Sequence, residues 1–440
     1  MSAVVNDPNL LSTPFADPGQ TDVQTVAVLG LGYVGLPTTL ALRDAGFPVI
    51  GVDSSERRLE AIRAGEVDLL DRDRPRLTAA LASGLLALTA APEALQAADA
   101  VIIAVPTPID ERRAPDLRAV RAACASAVQH ARPGQTLILT STTYVGTTRD
   151  LLVAPLTARG LTVGDDVHVA FAPERINPGD ALWEQASVPR VLGGVTPACG
   201  EAAAQVLAAT ASRLHVVSSA EAAELTKLQE NTFRAVNLAL ANEMAAAAGH
   251  YDLDPVEIIA AADTKPYGYL AHYPGPGVGG HCIPVDPYYL LSPLQAAGID
   301  VPVIQQAMAA VAQRPELVAD RALALTAQRG VADDAARVLL VGVAYKPGIG
   351  DHRESPALQI GAHLARRGAR VAYHDPLVPS VSLDGTAAVL HSVPAPRSDD
   401  YDLVLVAVVH PGHPYGFLAD AAHILDATYR TPGGRVRHAL

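Results

Sequence analysis

Cysteine is scarce in this chain of 440 residues, and its scarcity excludes one class of protein. The three cysteines are Cys124, Cys199 and Cys282, and an odd, sparse set in a long chain is not a disulfide framework. We expect Cys124 and Cys199 to be buried and structural, and the low cysteine content fits a cytoplasmic protein. Long apolar runs are missing too. Since none reaches the ~20 residues that span a bilayer and no secretory signal is apparent, we expect no membrane association.

Basic residues are in the minority. The 33 lysines and arginines stand against 46 aspartates and glutamates, and the net charge of −13 argues against nucleic-acid binding, which needs clustered positive charge. A small anionic ligand remains compatible with this charge, because glycine loops and helix N-termini bind phosphate without net basicity. With 49% apolar and 18% charged residues, the sequence predicts a globular protein of about two or three domains, preceded by a mobile polar tail over residues 1–23.

A glycine-rich turn follows the first apolar run. Residues 25–29 predict a buried strand, and the sequence GLGYVG, a helical stretch and a second apolar run ending in Asp53 come directly after it. In this context Gly30 makes the turn, Gly32 lets a pyrophosphate approach and Gly35 lets helix and strand pack closely. A carboxylate at Asp53 accepts from ribose hydroxyls and repels a 2′-phosphate, which predicts NAD rather than NADP. The cofactor-binding candidates in this region are Gly30, Gly32, Tyr33, Val34, Gly35 and Asp53.

The alternation of strand and helix continues. Further strands are predicted at 100–105, 135–139, 167–171, 190–194 and 213–217. Thr107, Thr142 and Glu174 with Arg175 follow the first three of these strands, and ligands bind at the carboxyl ends of strands in open parallel sheets. The alternatives are that the threonines cap helices and that Glu174 pairs with Arg175 or Arg190.

The stretch 218–249 predicts one long helix, because it is rich in alanine and leucine and contains almost no breakers. Lys227 and Asn231 are four residues apart on it and therefore share a face. The alternative for Lys227 is an ion pair with Glu224 within the helix. A long alanine-rich helix also offers a flat apolar face, so we expect a homodimer or a higher homo-oligomer.

A single cysteine lies in a glycine-rich loop, GPGVGGHCIPVDP, at residues 275–287. Glycines let a backbone come close to a ligand, so Cys282 would be exposed to whatever the loop approaches, with Asp286 four residues further on. The alternative is a tight loop with a small buried thiol. A short helix is predicted before this loop, at 254–262, and further helices are predicted at 284–298 and 303–330.

The strand and helix pattern restarts near residue 336. Strands are predicted at 337–342, 371–374 and 403–408, with a helix at 356–367. Lys346 and Arg353 lie in the first strand-to-helix loop of this second α/β region, the usual position for a phosphate. The alternative is two solvated cations. The fold class is thus α/β, with two Rossmann-like doubly wound domains joined by a helical central domain, and a thiol combined with NAD indicates aldehyde oxidation through a thioester.

Five motifs carry a resemblance to a known family. They lie at residues 28–37 (VLGLGYVGLP), 172–175 (APER), 224–231 (ELTKLQEN), 279–287 (GGHCIPVDP) and 345–355 (YKP and DHRES). In this order they resemble the UDP-glucose and GDP-mannose dehydrogenase superfamily. The resemblance implies an NAD-binding domain at 24–217, a central dimerisation domain with the cysteine loop at 218–330 and a UDP-sugar-binding domain at 331–440. It also implies a four-electron oxidation of a sugar C6 alcohol with two NAD and no metal.

The resemblance implies residue roles as well. Cys282 matches the nucleophile, Lys227 the lysine that stabilises an oxyanion or transfers protons, and Asn231 an oxyanion donor. Asp286 and Thr142 match groups that position water, and Glu174 a general acid–base residue. Lys346 is expected to contact UDP, and Arg353 a nucleotide phosphate of the cofactor. The implied substrate-binding residues are Glu174, Arg175, Lys227, Asn231, Tyr273, Gly279 and Lys346, and the implied cofactor-binding residues include Thr107, Thr142 and Arg353.

Departures from the family pattern narrow the choice of substrate. His281, Ile283 and Val285 stand where UDP-glucose dehydrogenases carry Ser, Phe and Lys, which resembles the N-acetylhexosamine branch and most closely the UDP-N-acetylglucosamine 6-dehydrogenases. UDP-N-acetylmannosamine enzymes usually have an arginine before the cysteine loop, but none occurs here between residues 234 and 314, and Lys265 is the candidate substitute. The alternatives are UDP-N-acetylmannosamine or UDP-glucose oxidation, a two-electron NAD-dependent hydroxyacid dehydrogenase, and a catalytically silent nucleotide-sugar sensor.

Overall fold

The computed structural model describes residues 23–67, 69–70, 72–110, 112–175, 187–384, 389–430 and 436–438. The N-terminal tail predicted at 1–23 lies outside the described residues, except for Val23. The chain divides into two compact units, and the boundary falls within the long helix, between Lys227 and Leu228. The first unit runs to Asp110 and from Pro115 to Lys227, and the second contains the chain from Leu228 together with the short segment Glu111–Ala114.

The first unit alternates strands and helices. In chain order it contains β1 (Val26–Leu29), α1 (Gly35–Asp44), β2 (Val49–Val52), α2 (Glu56–Ala64), α3 (Arg74–Ala82), β3 (Leu86–Thr89), β4 (Ala100–Ile103), α4 (Arg118–His130), β5 (Thr136–Leu139), α5 (Ala154–Ala158), β6 (His168–Phe171), β7 (Arg190–Gly194), α6 (Pro197–Leu207) and β8 (Leu214–Val217). The strands predicted from the sequence are present, most of them one or two residues shorter. Strand β3 was not predicted; it is a short segment whose side chains are at least partly exposed.

These strands form one sheet in the order β3-β2-β1-β4-β5-β6-β7-β8, parallel except where β7 pairs with β6. The strand order reverses between β1 and β4, which is the switch point where ligands bind in doubly wound sheets. Successive residues of β1 face opposite sides of the sheet. Val26 and Val28 join one apolar core and Ala27 and Leu29 the other, so both faces are covered.

The helical part comprises α7 (Ala220–His250), α8 (Pro255–Asp263), α9 (Asp286–Ala296) and α10 (Pro302–Ala327). The hydroxyl of Ser219 accepts a hydrogen bond from Ala222 N and so caps the start of α7. Helix α9 begins at Asp286, two residues later than predicted. In the second unit, Ala235 and Ala239 of α7 pack against side chains of α9 and α10. None of the helices in the described part of the chain is long and apolar enough to cross a membrane.

The rest of the second unit contains β9 (Arg337–Val341), α11 (Pro356–Arg366), β10 (Arg370–His374), β11 (Ser380–Ser382), β12 (Val389–His391), β13 (Leu403–Val406), α12 (Phe417–Asp420), β14 (His423–Asp426) and β15 (Val436–His438). A parallel sheet has the order β10-β9-β13-β14-β15, and β11 and β12 form a separate antiparallel pair. Val338 and Leu340 of β9 face one core, and Leu339 and Val341 face the other. The predicted second α/β domain is therefore confirmed, although β11, β12, β14 and β15 were not predicted.

Candidate active site

The glycine-rich turn after β1 forms a cradle that fits a phosphate group. Gly30 has a φ of +93°, in the left-handed region that favours glycine. A Cβ on Gly35 would lie 1.7 Å from the carbonyl oxygen of Gly30, whereas a Cβ on Gly32 would meet no described atom within 4 Å. Tyr33 and Val34 between them are half-buried. Among the described residues no side chain caps α1, and its first turn has no acidic residue, so the helix N-terminus suits an anion.

Asp53 follows β2 and its carboxylate faces this turn. Its Oδ2 accepts a hydrogen bond from Leu31 N at 2.9 Å, and its Oδ1 accepts one from Ser55 N at 2.9 Å. A carboxylate oxygen can accept more than one hydrogen bond, so both oxygens retain capacity for ribose hydroxyls. Arg58 Nε donates to Leu31 O at 3.0 Å and ties α2 to the same turn. The glycines and the acid together fit NAD.

Ser141 joins the two loops that carry Thr107 and Thr142. Its hydroxyl accepts from Val105 N at 2.9 Å and donates to Val105 O at 2.8 Å. Thr107 and Thr142 are half-buried after the adjacent strands β4 and β5. Both stand several residues before the next helical segment begins, so neither caps a helix as the alternative required. Sequence reasoning missed Ser141, because a serine beside two threonines gives no distinct signal.

Lys227 and Glu174 lie together in the first unit. Lys227 Nζ donates a hydrogen bond to the backbone carbonyl oxygen of Glu174 at 2.9 Å. The Glu174 carboxylate accepts from Arg175 N at 2.9 Å and lies 3.5 Å from Arg190 Nη2, and the side chains of Glu174 and Arg190 are only 9% and 5% exposed. The ion pair between Glu174 and Arg190, one of the alternatives, is therefore present.

Glu224 does not pair with Lys227 but binds the loop after β5. It is 1% exposed, and its carboxylate accepts from Gly146 N at 2.6 Å, from Thr148 N at 2.8 Å and from Thr148 Oγ1 at 2.6 Å. Burial raises the pKa of Glu224, and the hydrogen bonds from Thr148 and Gly146 offset this only in part. Glu224 thus anchors the loop that contains Thr142 to helix α7. The sequence offered no signal for this role beyond an acid within an alanine-rich helix.

Three candidate residues come together in the second unit. The Cys282 side chain is exposed, and its carbonyl oxygen accepts from Val285 N at 3.1 Å and Asp286 N at 2.7 Å, so the cysteine turn leads directly into α9. The Asp286 side chain is buried and accepts a hydrogen bond from Asn231 Nδ2 of α7. Cysteine, carboxylate and amide are thus linked in one local cluster, and the alternative of a buried Cys282 is wrong.

The other two cysteines are buried, as predicted. Cys124 is 1% exposed and Cys199 is 0% exposed. Burial raises the pKa of the Cys124 thiol to about 12. Both thiols are therefore shielded from solvent, in contrast to Cys282.

The glycines of the cysteine loop bring its backbone against another loop of the second unit. A Cβ on Gly279 would lie 2.7 Å from Tyr345 Cβ and 2.8 Å from Glu354 O, and a Cβ on Gly280 would lie 2.9 Å from the Tyr345 ring. Gly280 N also donates to Arg353 O at 3.3 Å. Gly279 and Gly280 therefore serve packing within the protein, and the expected contact of Gly279 with a substrate stays a prediction.

Lys346 and Arg353 lie in this second loop, between β9 and α11. Lys346 is half-buried with its Nζ 5.9 Å from the centroid of the Tyr345 ring. Arg353 forms a two-pronged ion pair with Asp351 at 3.0 and 2.7 Å. Burial alone would raise the pKa of Asp351, but the hydrogen bonds from Arg353 outweigh it and the pKa is lowered. Arg353 is therefore more than a solvated cation.

Arginines from other parts of the second unit reach the start of the cysteine loop and the segment before it. The Arg430 guanidinium lies 4.9 Å from the centroid of the Tyr273 ring, and Arg314 Nε donates to Gly275 O at 3.1 Å. Lys265 Nζ lies 5.2 Å from the Tyr267 ring centroid. The sequence could not indicate Arg430, because it is more than 150 residues away from Tyr273 along the chain.

Comparison with known proteins identifies similar domains along the chain. Models of the UDP-glucose/GDP-mannose dehydrogenase family match at residues 24–211 for the NAD binding domain, 221–311 for the central domain and 339–428 for the UDP binding domain. An NDP-N-acetyl-D-galactosaminuronic acid dehydrogenase of Ralstonia nicotianae is 36% identical over 347 residues, which cover 77% of this chain and 79% of the relative.

Two further relatives are similar over most of their length. The UDP-N-acetyl-D-mannosamine dehydrogenase of Escherichia coli K12 is 35% identical over 356 residues, covering 78% of this chain and 83% of that protein. The solved structure of a UDP-D-ManNAc dehydrogenase from Pyrococcus horikoshii aligns with a TM-score of 0.84 at 30% identity, covering 94% of this chain and 99% of that one.

Proposed function

The chain belongs to the UDP-glucose/GDP-mannose dehydrogenase family, and we propose that this NAD-dependent oxidoreductase converts the C6 alcohol of a UDP-linked N-acetylhexosamine into a carboxylate. The observation that carries the proposal is the cluster of Cys282, Asp286 and Asn231 at the start of α9. An exposed thiol beside a fixed carboxylate and amide suits covalent oxidation of an aldehyde followed by hydrolysis.

The first oxidation yields the C6 aldehyde. Bound NAD supplies the hydride acceptor for each of the two oxidation steps, so that one turnover consumes two NAD. Lys227 holds or moves the proton of the C6 hydroxyl, and its Nζ is oriented by a hydrogen bond to the carbonyl oxygen of Glu174. The Cys282 sulfur then bonds to the aldehyde carbon while the carbonyl electron pair moves to oxygen. Asn231 donates to that developing oxyanion.

Hydrolysis completes the reaction. Loss of hydride from the sulfur-bound carbon leaves a thioester on Cys282, and attack by water breaks the carbon–sulfur bond and returns the thiolate. Asp286 and Thr142 position that water, and Glu174 moves its proton. A thioester pathway requires that Cys282 stay reduced, which accords with a cytoplasmic location.

Among the hexosamine epimers the first candidate is UDP-N-acetylglucosamine. It rests on His281, Ile283 and Val285 of the cysteine loop and on the sequence before that loop. UDP-N-acetylmannosamine is the second candidate, because relatives and solved structures are named for that substrate, and other relatives are named for N-acetylgalactosaminuronic acid.

The test is NADH release against a panel of UDP-GlcNAc, UDP-ManNAc, UDP-GalNAc and UDP-glucose. We expect two NADH per sugar with an N-acetylated member of the panel. Preference for UDP-glucose would refute the N-acetyl assignment, and one NADH per sugar would refute the four-electron reaction.

Cys282→Ser is the second arm of this test. It should abolish acid formation, whereas full turnover would favour the two-electron hydroxyacid dehydrogenase. Iodoacetamide applied to the folded enzyme should modify one thiol and inactivate it, since Cys124 and Cys199 are buried. Modification of one thiol without loss of activity would identify the reactive and the catalytic cysteine as different residues.

The oligomeric state is part of the proposal. Phe233, Leu240 and Met244 form a stripe on α7 and are 44%, 53% and 54% exposed. Their spacing of seven and four residues places them on one helical face, which fits contact with a second copy of the chain. Sedimentation velocity should give a homodimer or larger oligomer for the native protein and a smaller species for the double variant Leu240→Glu/Met244→Glu. An unchanged size would exclude this face as the interface.

A further inference from the structure

A buried histidine and a buried aspartate hold the loop that contains Lys346 in place. The side chains of His410 and Asp375 are 1% and 0% exposed, and His410 Nε2 lies 3.2 Å from Asp375 Oδ2. Asp375 follows β10 and His410 follows β13, the two strands that flank β9 in the sheet. The Lys346 loop begins directly after β9, so His410 and Asp375 lie next to the start of this loop.

Hydrogen bonds connect this pair to both arms of the loop. Asp375 Oδ2 accepts from Val343 N at 2.8 Å and from Ala344 N at 3.1 Å, on the arm before Lys346. Gly348 N, on the arm after Lys346, donates to His410 Nδ1 at 3.0 Å. The loop between these anchors contains Lys346 itself.

The bond from Gly348 determines the tautomer of His410. A backbone N–H can only donate, so Nδ1 must be the unprotonated acceptor and Nε2 must carry the hydrogen that points to Asp375. The other oxygen of Asp375 accepts from Leu377 N at 2.8 Å and Val378 N at 3.1 Å, which fixes the carboxylate. The imidazole is thus held in one orientation by a group that is itself immobile.

We infer that His410 is a positioning residue for UDP binding, acting through the backbone of the Lys346 loop rather than by contact with the substrate. The inference rests on the proposed function, in which Lys346 contacts the UDP group. Loss of the acceptor at Nδ1 removes the hydrogen bond from Gly348 N and releases one arm of the loop, so the lysine is no longer held where a diphosphate needs it.

The variants differ in which hydrogen bond they retain. His410→Asn retains an acceptor near the Nδ1 position, while His410→Leu removes both hydrogen bonds. His410→Gln reaches toward Asp375 without serving Gly348 and replaces His410→Leu if that variant does not fold. His413→Asn is the matched control, because His413 is exposed in the same loop, with its ring 6.3 Å from that of His410.

The probe is UDP itself, titrated into the full-length enzyme by calorimetry, with KM and kcat measured for the UDP-sugar and for NAD. His410→Leu should weaken UDP binding and raise the KM for the UDP-sugar on the order of ten-fold, with kcat and the KM for NAD nearly unchanged. His410→Asn should recover most of the affinity, and His413→Asn should bind like the wild type. In a Lys346→Ala background, His410→Leu should weaken binding no further, because its effect passes through the lysine.

Three results would overturn the inference while leaving the proposed function intact. They are wild-type UDP affinity in His410→Leu, equal loss in His410→Asn and His410→Leu, and independent effects of the changes at residues 346 and 410. Failure of the wild type to bind UDP would instead overturn the proposed function, and the inference with it.

Discussion

Asn231 and Asp286 are joined directly through their side chains, the amide nitrogen of Asn231 donating to Oδ2 of Asp286. Asn231 comes from α7, and Asp286 is the first residue of α9, one turn after Cys282. The bond orients the amide, because a carboxylate can only accept and therefore selects the NH₂ group. The oxygen and nitrogen of the Asn231 amide are thereby distinguished. The second N–H of this nitrogen keeps one direction, because the amide does not flip.

Asn231→Ala should lower kcat by about 10²–10³-fold, the usual cost of removing one oxyanion donor. Asn231→Asp should also be severely impaired, because it places two carboxylates within hydrogen-bonding distance, where one must retain a proton. Steady-state kinetics with thermal unfolding checks this. Asn237→Ala is the matched control, since Asn237 on the same helix bonds only to Phe233 O among the contacts in the described chain. A fall in stability without a fall in kcat would assign Asn231 a structural role.

The glycine turn offers a pair of substitutions with opposite expectations. Gly35→Ala should destabilise the protein by about 3 kcal/mol or more, because its Cβ would overlap the Gly30 carbonyl oxygen. Gly32→Ala should change the free energy of unfolding by less than about 1 kcal/mol, since its Cβ would meet no described atom. It should nevertheless raise the KM for NAD about ten-fold, because the methyl group occupies the space for the pyrophosphate. Urea unfolding and NAD titration separate the two, and an unchanged KM for NAD in Gly32→Ala would contradict the cradle.

Gly279→Ala should cost about 1–3 kcal/mol of stability through overpacking against Tyr345 and the Glu354 backbone. The cysteine loop would be pushed away from its support, so activity should fall with stability. Gly275→Ala is the stability control in the same loop, because its Cβ would meet no described atom within 4 Å. Equal unfolding midpoints for the two variants would contradict the packing role of Gly279.

The sequence indicated the elements that depend on local pattern. Short apolar runs predicted buried strands such as β1 and β9. The Gly30 turn was predicted because a strand precedes it and a helix follows it. What remained hidden depends on contacts between distant segments. Glu224 seemed a partner for Lys227 three residues away, but burial directs it to Thr148. Likewise no periodicity could place His410 against Gly348, since their contact depends on the order of strands in the sheet.

The pKa of His281, next to Cys282, is lowered by burial and, secondly, by the positive charge of Arg353, which outweigh the opposing effect of Asp351. Between this lowered pKa and the ordinary value of about 6.5, the unfolded chain binds a proton that the folded chain lacks. The contribution of neutral His281 to the free energy of unfolding is therefore fully present above about pH 6.5 and is lost as the pH falls through the lowered pKa of His281.

His281→Asn removes this dependence, so the wild type should lose stability relative to the variant as the pH falls below about 6.5, and the difference should be constant above it. Urea unfolding of both proteins between pH 5 and 8 measures this difference. His363, His423 and His438 also have lowered pKa values and steepen both curves, but they cancel in the comparison. A wild type that gains stability over the variant on acidification would mean that His281 is protonated in the folded enzyme and stands as a cation beside Cys282.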